Sequence, residues 1–176
     1  IVIKNFNGND GSGRGIYGWS SGIYSDSAVS NSLISGNYIQ TNNDGYGIDF
    51  NSESSNNKIL GNTVAGMYDA IRFSSASMND IISGNNILAE GISIRFYSTS
   101  SNDQIIQNNL GSTGDNSIVF DLSSTNNNIF GNNISADNYE ILFNSPSSRN
   151  TISGNNLSKG EGIEFSSTST DDKISK

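Results

Sequence analysis

The sequence predicts an all-β solenoid, a fold in which short repeats stack on one another as rungs. One observation is the motif Ile-x-Gly-Asn-x-Ile, clearest at Ile82–Ile87, which returns along the chain with Gln107 once in place of the glycine. Its asparagines fall at positions 37, 62, 85, 108, 132 and 155, so the steps are 25, 23, 23, 24 and 23 residues. The other observation is an Ile-x-Phe unit at a similar place in each repeat. A period this steady is typical of stacked repeats.

The composition agrees with a folded chain. Of the 176 residues, 33% are hydrophobic and 15% are charged, with 33 Ser, 28 Asn and 23 Ile. Disordered chains are poor in β-branched residues and rich in net charge, whereas here the isoleucines recur in register. We predict one repeat domain over residues 1–176. Because the chain opens at Ile1 rather than Met, we expect it to be part of a longer or multimeric protein.

Charge and residue content exclude several function classes. The formal net charge is -8 and the basic residues stand singly, which disfavours a nucleic-acid partner. The chain has no His and no Cys, so no disulfide framework or thiolate metal site is expected. No apolar run is long enough to span a membrane.

The first elements in chain order are a strand and a glycine-rich loop. Ile1–Phe6 has the composition of a strand, and residues 7–22 are predicted to be irregular. Within them Gly13–Gly18 spells G-x-G-x-x-G. A dinucleotide loop needs a strand before it and a helix after it, and Ser20–Ile23 does not start a helix. A flexible loop is the better interpretation.

From residue 22 onward each rung carries the Ile-x-Phe unit. Apolar residues alternating with variable ones indicate a strand with one buried face. Two interior columns are therefore predicted: Ile48, Ile71, Ile94, Ile118, Ile141 and Ile163 in one, and Phe50, Phe73, Phe96, Phe120, Phe143 and Phe165 in the other.

The polar residues of each rung fall into two groups. Runs of Ser and Asn such as residues 51–57 have the composition of turns, since both side chains bond local backbone. The asparagines of the repeated motif instead predict an interior ladder, in which each amide bonds the identical amide of the next rung, about 4.8 Å away. The members expected to be buried and bonded are Asn62, Asn85, Asn108, Asn132 and Asn155.

With these motifs laid out rung by rung, the chain resembles the right-handed parallel β-helix repeats of the pectate-lyase-like superfamily. More narrowly, it is similar to the NosD-type, carbohydrate-binding and sugar-hydrolase repeats. The resemblance implies a single-stranded right-handed parallel β-helix of about seven rungs of 22–25 residues. It also implies three sheets and a length of roughly 35 Å at about 4.8 Å per rung.

One candidate site lies between the Ile and Phe columns. The outward positions there include Asp49, Arg72 and Arg95. The resemblance implies a lyase chemistry for such a group, in which calcium neutralises a substrate carboxylate and an arginine acts as base. The competing interpretation is a surface ion pair between Asp49 and Arg72.

A second candidate is a ridge of acids, one before each Ile-x-Phe unit: Asp44, Asp69, Glu90, Asp115, Asp137 and Glu161. Asp44, Asp69 and Asp115 are its candidate calcium ligands. Their offset from the following Ile varies, and this favours solvated turns over a metal site.

The third candidate is a set of aromatic residues outside the interior columns, since planar rings suit sugar faces. Its members are Tyr17, Trp19, Tyr46, Tyr68 and Tyr139.

Two functions compete on these residues. We predict a non-catalytic module outside the cell or on its surface, structural or carbohydrate-adhesive, without a required cofactor. Its partners are a glycan, or copies of itself or flanking domains that meet the open helix ends to build a filament or surface layer. The alternative is a calcium-assisted lyase acting on an acidic polysaccharide. The absence of histidine and of paired outward carboxylates disfavours an enzyme.

Overall fold

The chain coils into a right-handed parallel β-helix of about seven turns. The computed structural model describes residues 2–4, 7–10, 21–41, 45–66 and 68–176. Every rung places its strands in the same order, one in each of four sheets, named A to D here. Successive rungs pair in parallel along each sheet.

The strands of each sheet are as follows. Sheet A contains Val2–Lys4, Leu33–Ser35, Lys58–Leu60, Ile81–Ser83, Gln104–Ile106, Asn128–Phe130, Thr151–Ser153 and Lys173–Ser175. Sheet B contains Asn7–Asp10, Tyr38–Thr41, Thr63–Gly66, Asn86–Ala89, Asn109–Ser112, Asn133–Ser135 and Asn156–Ser158. Sheet C contains Ser21–Ser25, Tyr46–Phe50, Ile71–Phe73, Ile94–Phe96, Ile118–Phe120, Ile141–Phe143 and Ile163–Phe165. Sheet D contains Val29–Ser30, Ser54–Ser55, Ser77–Met78, Ser100–Ser101, Ser124–Thr125, Ser147–Ser148 and Ser169–Thr170.

The fourth sheet corrects the expectation of three. The Ser/Asn runs predicted to be turns contain two-residue strands, and these stack as sheet D. In the five inner strands of this sheet the first residue is a serine that points inward and is buried: Ser54, Ser77, Ser100, Ser124 and Ser147. In the last strand Ser169 is exposed. A serine fits this corner because its small hydroxyl group forms a hydrogen bond inside the coil. A run of polar residues can therefore form a sheet with a buried face.

Both apolar columns are confirmed. Ile48, Ile71, Ile94, Ile118 and Ile141 are fully buried. Neighbouring phenylalanine rings stack face to face with centroids 4.7 to 5.1 Å apart. The rung spacing of a parallel sheet therefore sets the ring spacing. The core is one continuous apolar rod, in which Ile163 and Phe165 of a late rung are only half-buried.

The predicted asparagine ladder is also confirmed. Asn62 Nδ2 donates to Asn85 Oδ1 at 3.0 Å, and Asn85 Nδ2 donates to Asn108 Oδ1 at 2.9 Å. The bonds continue through Asn132 to Asn155, which is half-buried rather than buried. The glycine before each amide has a φ of 60° to 65°, and Gln107 takes 53° in its place. This left-handed conformation is the reason for the recurring glycine.

A second interior ladder, absent from the sequence interpretation, runs along the corner between sheets D and A. It consists of Ser32, Asn57, Asp80, Asp103, Asn127, Asn150 and Asp172. Each backbone N–H donates to the side-chain oxygen of the next rung, as from Asp80 to Asp103 Oδ1 at 2.8 Å. Unlike the first ladder, it contains carboxylates buried inside the coil.

Strands lie at both ends of the segment that was predicted to be irregular. Asn7–Asp10 pairs with Tyr38–Thr41, and Ser21–Ser25 pairs with Tyr46–Phe50, so strands occupy both ends of residues 7–22. The G-x-G-x-x-G stretch lies outside the described residues. Within the described residues, no helix has the length and apolar character needed to cross a membrane.

Candidate functional site on the outer face of sheet C

The outer face of sheet C brings the three predicted lyase residues into one column. The pairing register aligns Asp49 with Arg72 and Arg72 with Arg95. Further along the axis the same column holds Val119, Leu142 and Glu164. The predicted register is therefore correct, but the column is not a row of free side chains.

Asp49 and Arg72 form an ion pair in which Asp49 is buried and Arg72 is half-buried, rather than a fully exposed surface pair. Arg72 Nε donates to Asp49 Oδ1 at 3.0 Å and Arg72 Nη2 donates to Asp49 Oδ2 at 2.8 Å. Asp49 is only 2% exposed. The guanidinium lies 3.7 Å above the centre of the Tyr46 ring. This bidentate hydrogen bonding, together with the stacking of the guanidinium on the Tyr46 ring, immobilises both charged groups.

The ion pair alters the proton affinity of Arg72. Burial acts to lower the pKa of Arg72, but the hydrogen bonds and charge of Asp49, with smaller effects of Tyr46 and Asp69, raise it overall. A guanidinium base would need the opposite shift, since it must lose a proton to act.

Arg95 is held similarly, with one difference. Its Nε donates to Asp121 Oδ2 at 2.7 Å, and its guanidinium lies 3.9 Å from the centre of the Tyr97 ring. In the described part of the chain its two terminal nitrogens have no hydrogen-bond partner. Tyr97 is 39% exposed. Arg95 therefore presents donors to solvent beside an accessible ring.

Sequence reasoning missed Tyr97 and Asp121, although a signal existed. Each directly follows the phenylalanine of an Ile-x-Phe unit, at an outward position that other rungs fill with Asn or Ser. An outward aromatic or acid beside an arginine of the same face indicates a contact across rungs.

Asp69 is a second buried acid near this face, in addition to Asp49. It is 4% exposed, and burial raises its pKa to about 6, while the positive charges of Arg95 and Arg72 act to lower it. The Ile92 backbone also forms a hydrogen bond with the carboxyl group that lowers its pKa. Asp69 therefore titrates close to neutral pH.

The other members of the predicted acidic ridge are differently placed. Glu90, Asp137 and Glu161 are exposed, and Asp137 pairs with Lys159. Asp115 is half-buried, and Asp44 lies outside the described residues. Across the described ranges, no group of three or more His, Cys, Asp or Glu side chains is arranged to hold a metal ion.

The aromatic candidates divide into two places. Tyr46 and Tyr68 lie together, with ring centroids 6.2 Å apart, and Tyr68 is 42% exposed. Tyr139 instead packs against a small outer apolar cluster formed by Ile92, Val119 and Leu142. Tyr17 and Trp19 lie outside the described residues. The outer face thus changes along the axis, from charged and aromatic at Arg72 to apolar at Leu142.

The coil, its four parallel sheets and its interior ladders define the chain as a right-handed parallel β-helix repeat protein. A family model described as "Periplasmic copper-binding protein (NosD)" matches residues 1–119. The chain belongs to the NosD family, as the repeats predicted. No curated protein and no solved structure matches it. The periplasmic description of the family agrees with a location outside the cytoplasm.

The copper named in the family description does not fit the residues of this chain. Copper sites in proteins use imidazole, thiolate and thioether ligands. This chain has no His, no Cys and two Met. One of them, Met78, is an exposed residue of sheet D. No copper-dependent step can be derived from this set of donors.

Copper binding by the purified chain is therefore expected to be negligible. After equilibrium dialysis with Cu²⁺, or with Cu⁺ under reducing conditions, metal analysis should find far less than one copper per chain, because the strong donor types are absent. Met78→Leu serves as the control and should leave the value unchanged. Retention of one copper per chain after dialysis against a weak chelator would contradict this expectation.

Proposed function

We propose that this chain is a non-catalytic β-helix module outside the cytoplasm that binds carbohydrate on the outer face of sheet C. The binding surface consists of the exposed Tyr68 and Tyr97 and the half-buried Arg72 and Arg95, with the buried Tyr46 packed against Arg72, and is called here the guanidinium–tyrosine patch. The observation that carries the proposal is Arg95, whose terminal N–H groups have no hydrogen-bond partner among the described residues and lie beside the exposed ring of Tyr97.

The chemistry of this patch suits a sugar. A sugar ring offers an apolar C–H face and a rim of hydroxyl groups, and its sites combine aromatic rings with a few fixed polar groups. Tyr68 and Tyr97 supply exposed rings, and Arg95 supplies donors. Because Asp121 and Tyr97 already hold Arg95, little side-chain freedom is lost on binding.

The charges favour uncharged sugars over polyuronates. Arg72 is paired with Asp49 and Arg95 with Asp121, and the buried Asp69 adds a further negative charge above its pKa of about 6. The whole chain carries a net charge of -8. A polyanion would therefore meet repulsion at long range and few free cations at the site.

The same contacts favour binding over a lyase reaction. The pKa of Arg95, like that of Arg72, is raised overall: burial acts to lower it, and the hydrogen bond and charge of Asp121 outweigh that effect. An arginine base would have to lose a proton that its carboxylate partner helps to retain. The lyase remains the alternative, and end-to-end association with copies or flanking domains remains a prediction.

A glycan array combined with point variants tests the proposal. The unmodified protein should bind hydroxyl-rich neutral glycans, and Arg95→Ala or Tyr97→Ala should weaken the binding by about tenfold, which corresponds to about 1.4 kcal/mol. Lys58→Ala, an exposed cation on sheet A, is the matched control and should leave the binding intact.

Two outcomes would overturn this function. One is glycan binding that neither patch variant changes. The other is turnover: absorbance of unsaturated uronate that grows with time in the presence of calcium and disappears in Arg72→Ala would establish the lyase instead.

A further inference from the structure

We propose that the outer face of sheet B is a second binding surface, which accepts an uncharged polysaccharide chain running along the helix axis. The surface is a row of stacked side-chain amides formed by Asn86, Asn109, Asn133 and Asn156, called here the outer amide ladder. The inference uses the carbohydrate-binding function proposed above for the class of ligand, but it concerns a different face and different residues.

The four amides are exposed, aligned and bonded to each other. Their strands pair in register, so each amide lies directly above the previous one. Asn109 Nδ2 donates to Asn86 Oδ1 at 2.7 Å, Asn133 Nδ2 to Asn109 Oδ1 at 2.8 Å, and Asn156 Nδ2 to Asn133 Oδ1 at 2.7 Å. The row is a rigid array at the surface, not a set of independent side chains.

Each amide of this row keeps hydrogen-bonding capacity. A carboxamide has two N–H donors and two acceptor lone pairs. In Asn109 and Asn133 the ladder uses one donor and one acceptor of each group. One donor and one acceptor are left per rung, repeated about every 4.8 Å along the axis. Because the ladder already orders these side chains, binding costs little further conformational entropy.

The two outward columns of the described sheet B strands contain no charged side chain, and they are partly apolar. The neighbouring outward column contains Gln40, Ala65, Leu88, Gly111, Ser135 and Ser158. Leu88 is 54% exposed and borders a cleft of about 250 Å³, whose rim includes Glu90 and Thr113. Tyr38, in the same column two rungs before Asn86 with Thr63 between them, is 45% exposed. An extended row of donors and acceptors beside a small cleft, with an exposed ring further along the same column, suits hydroxyl groups rather than charges.

These features select among the possible partners. A nucleic acid needs cations to neutralise its phosphates, and the described side chains of the two columns include none. A peptide strand adds to a free sheet edge through its backbone, whereas this surface is a sheet face and offers side chains. A linear neutral polysaccharide presents hydroxyl groups and apolar C–H faces at regular intervals, which matches the row.

The experiment is affinity electrophoresis of the full chain in gels that contain β-1,4-glucan, β-1,4-mannan or, as the charged comparison, a polyuronate. The test variant is Asn109→Thr combined with Asn133→Thr, since Thr63 already occupies this column and pairs with Tyr38 and Asn86. Asn138→Ala, an exposed asparagine in a turn, is the matched control. Circular dichroism establishes that each variant is folded.

We expect a neutral polymer to retard the protein, and the double variant to lose about tenfold or more in affinity while Asn138→Ala does not. For oligosaccharides of increasing length, the affinity should rise until the chain spans the row and then level off.

Retardation unchanged by the double variant, retardation by the polyuronate alone, or no retardation by any neutral polymer would overturn the proposal. So would concentration-dependent dimerisation that the double variant abolishes, because a second copy would then be the occupant. Loss of binding in Arg95→Ala but not in the double variant would retain the guanidinium–tyrosine patch and reject the outer amide ladder, and the reverse result would do the opposite.

Discussion

Asn85→Asp is expected to destabilise the protein by about 3 to 5 kcal/mol, the cost of leaving a buried charge without a compensating partner. Asn85 Oδ1 accepts from the backbone N–H and the side chain of Asn62, and Asn85 Nδ2 donates to Ile59 O and to Asn108 Oδ1. A carboxylate keeps the accepting role but cannot donate, so its second oxygen would face the oxygens of Ile59 and Asn108.

Asn85→Ala should cost less, about 1 to 3 kcal/mol, because it leaves the same partners unsatisfied without introducing a charge. Denaturant unfolding at neutral pH, followed by circular dichroism, compares the two variants. Asn86→Ala is the matched control, since the adjacent Asn86 is exposed and its side chain bonds only Asn109 in the described part of the chain. It should cost less than about 1 kcal/mol. Small and equal losses of stability for Asn85→Asp and Asn85→Ala would show that the asparagine ladder inside the coil does not stabilise it.

Asp103→Asn is expected to have the opposite effect and to stabilise the protein at pH 7. Asp103 is 1% exposed, and burial raises its pKa from 3.8 to about 6, although Ser77, Ser100 and the Asp80 backbone donate to it. Because the folded-state pKa lies above the unfolded value, the stabilising contribution is fully present below pH 3.8 and is lost as the pH rises through about 6. At about 1.4 kcal/mol per pKa unit, this group makes the protein less stable at pH 7 than at pH 4 by about 3 kcal/mol.

The same ladder already contains asparagines at positions equivalent to Asp103, and they show how an asparagine is accommodated there. Asn150 occupies the equivalent place two rungs on, and its Nδ2 donates to Ser124 O at 3.2 Å. Asp103→Asn can bond the corresponding serine in the same way, and it removes the buried charge. Burial also raises the pKa of Asp80 and Asp69, so some pH dependence of the same sign remains. Asp172 acts in the opposite direction, because hydrogen bonds from Ser147, Ser169 and Asn150 outweigh its burial and lower its pKa.

Unfolding free energies measured from about pH 4 to pH 7.5 test this prediction. The wild type should lose stability as the pH rises, and Asp103→Asn should be more stable at neutral pH with a flatter profile. Asn127→Asp is the converse variant: it adds a carboxylate to the rung above Asp103 and should lower stability at pH 7. A wild-type profile that is flat through this range would contradict the assignment of Asp103 as a buried, titrating carboxyl group.

Much of the guanidinium–tyrosine patch was within reach of the sequence. Asp49, Arg72 and Arg95 occupy equivalent places in their repeats, so their alignment in one column follows from the period. The pairing could not be read in the same way. Arg72 bonds backward to Asp49, whereas Arg95 bonds forward to Asp121, in a different column. Side-chain length and local packing decide which partner each arginine bonds, and the repeat period does not predict the choice.

What the sequence determined by itself is the stacking: the number of rungs, the register of Ile71 on Ile94, the stacked phenylalanines and the asparagine ladder that includes Asn85. Identical residues at a constant spacing contact each other only when each lies on the equivalent residue of the next rung. A single register therefore satisfies all of these contacts together. Only the tertiary structure decided the closure of each rung at the corner of sheet D, where Ser77 and Asp103 turn inward although their composition is that of a solvated turn. The direction of a side chain at a corner depends on how the coil closes around it, and the residues that satisfy it come from the adjacent rung. The same dependence buries Asp69 within the electrostatic influence of Arg95 and Arg72, and it exposes Asn109 on the opposite side of its strand from Leu110.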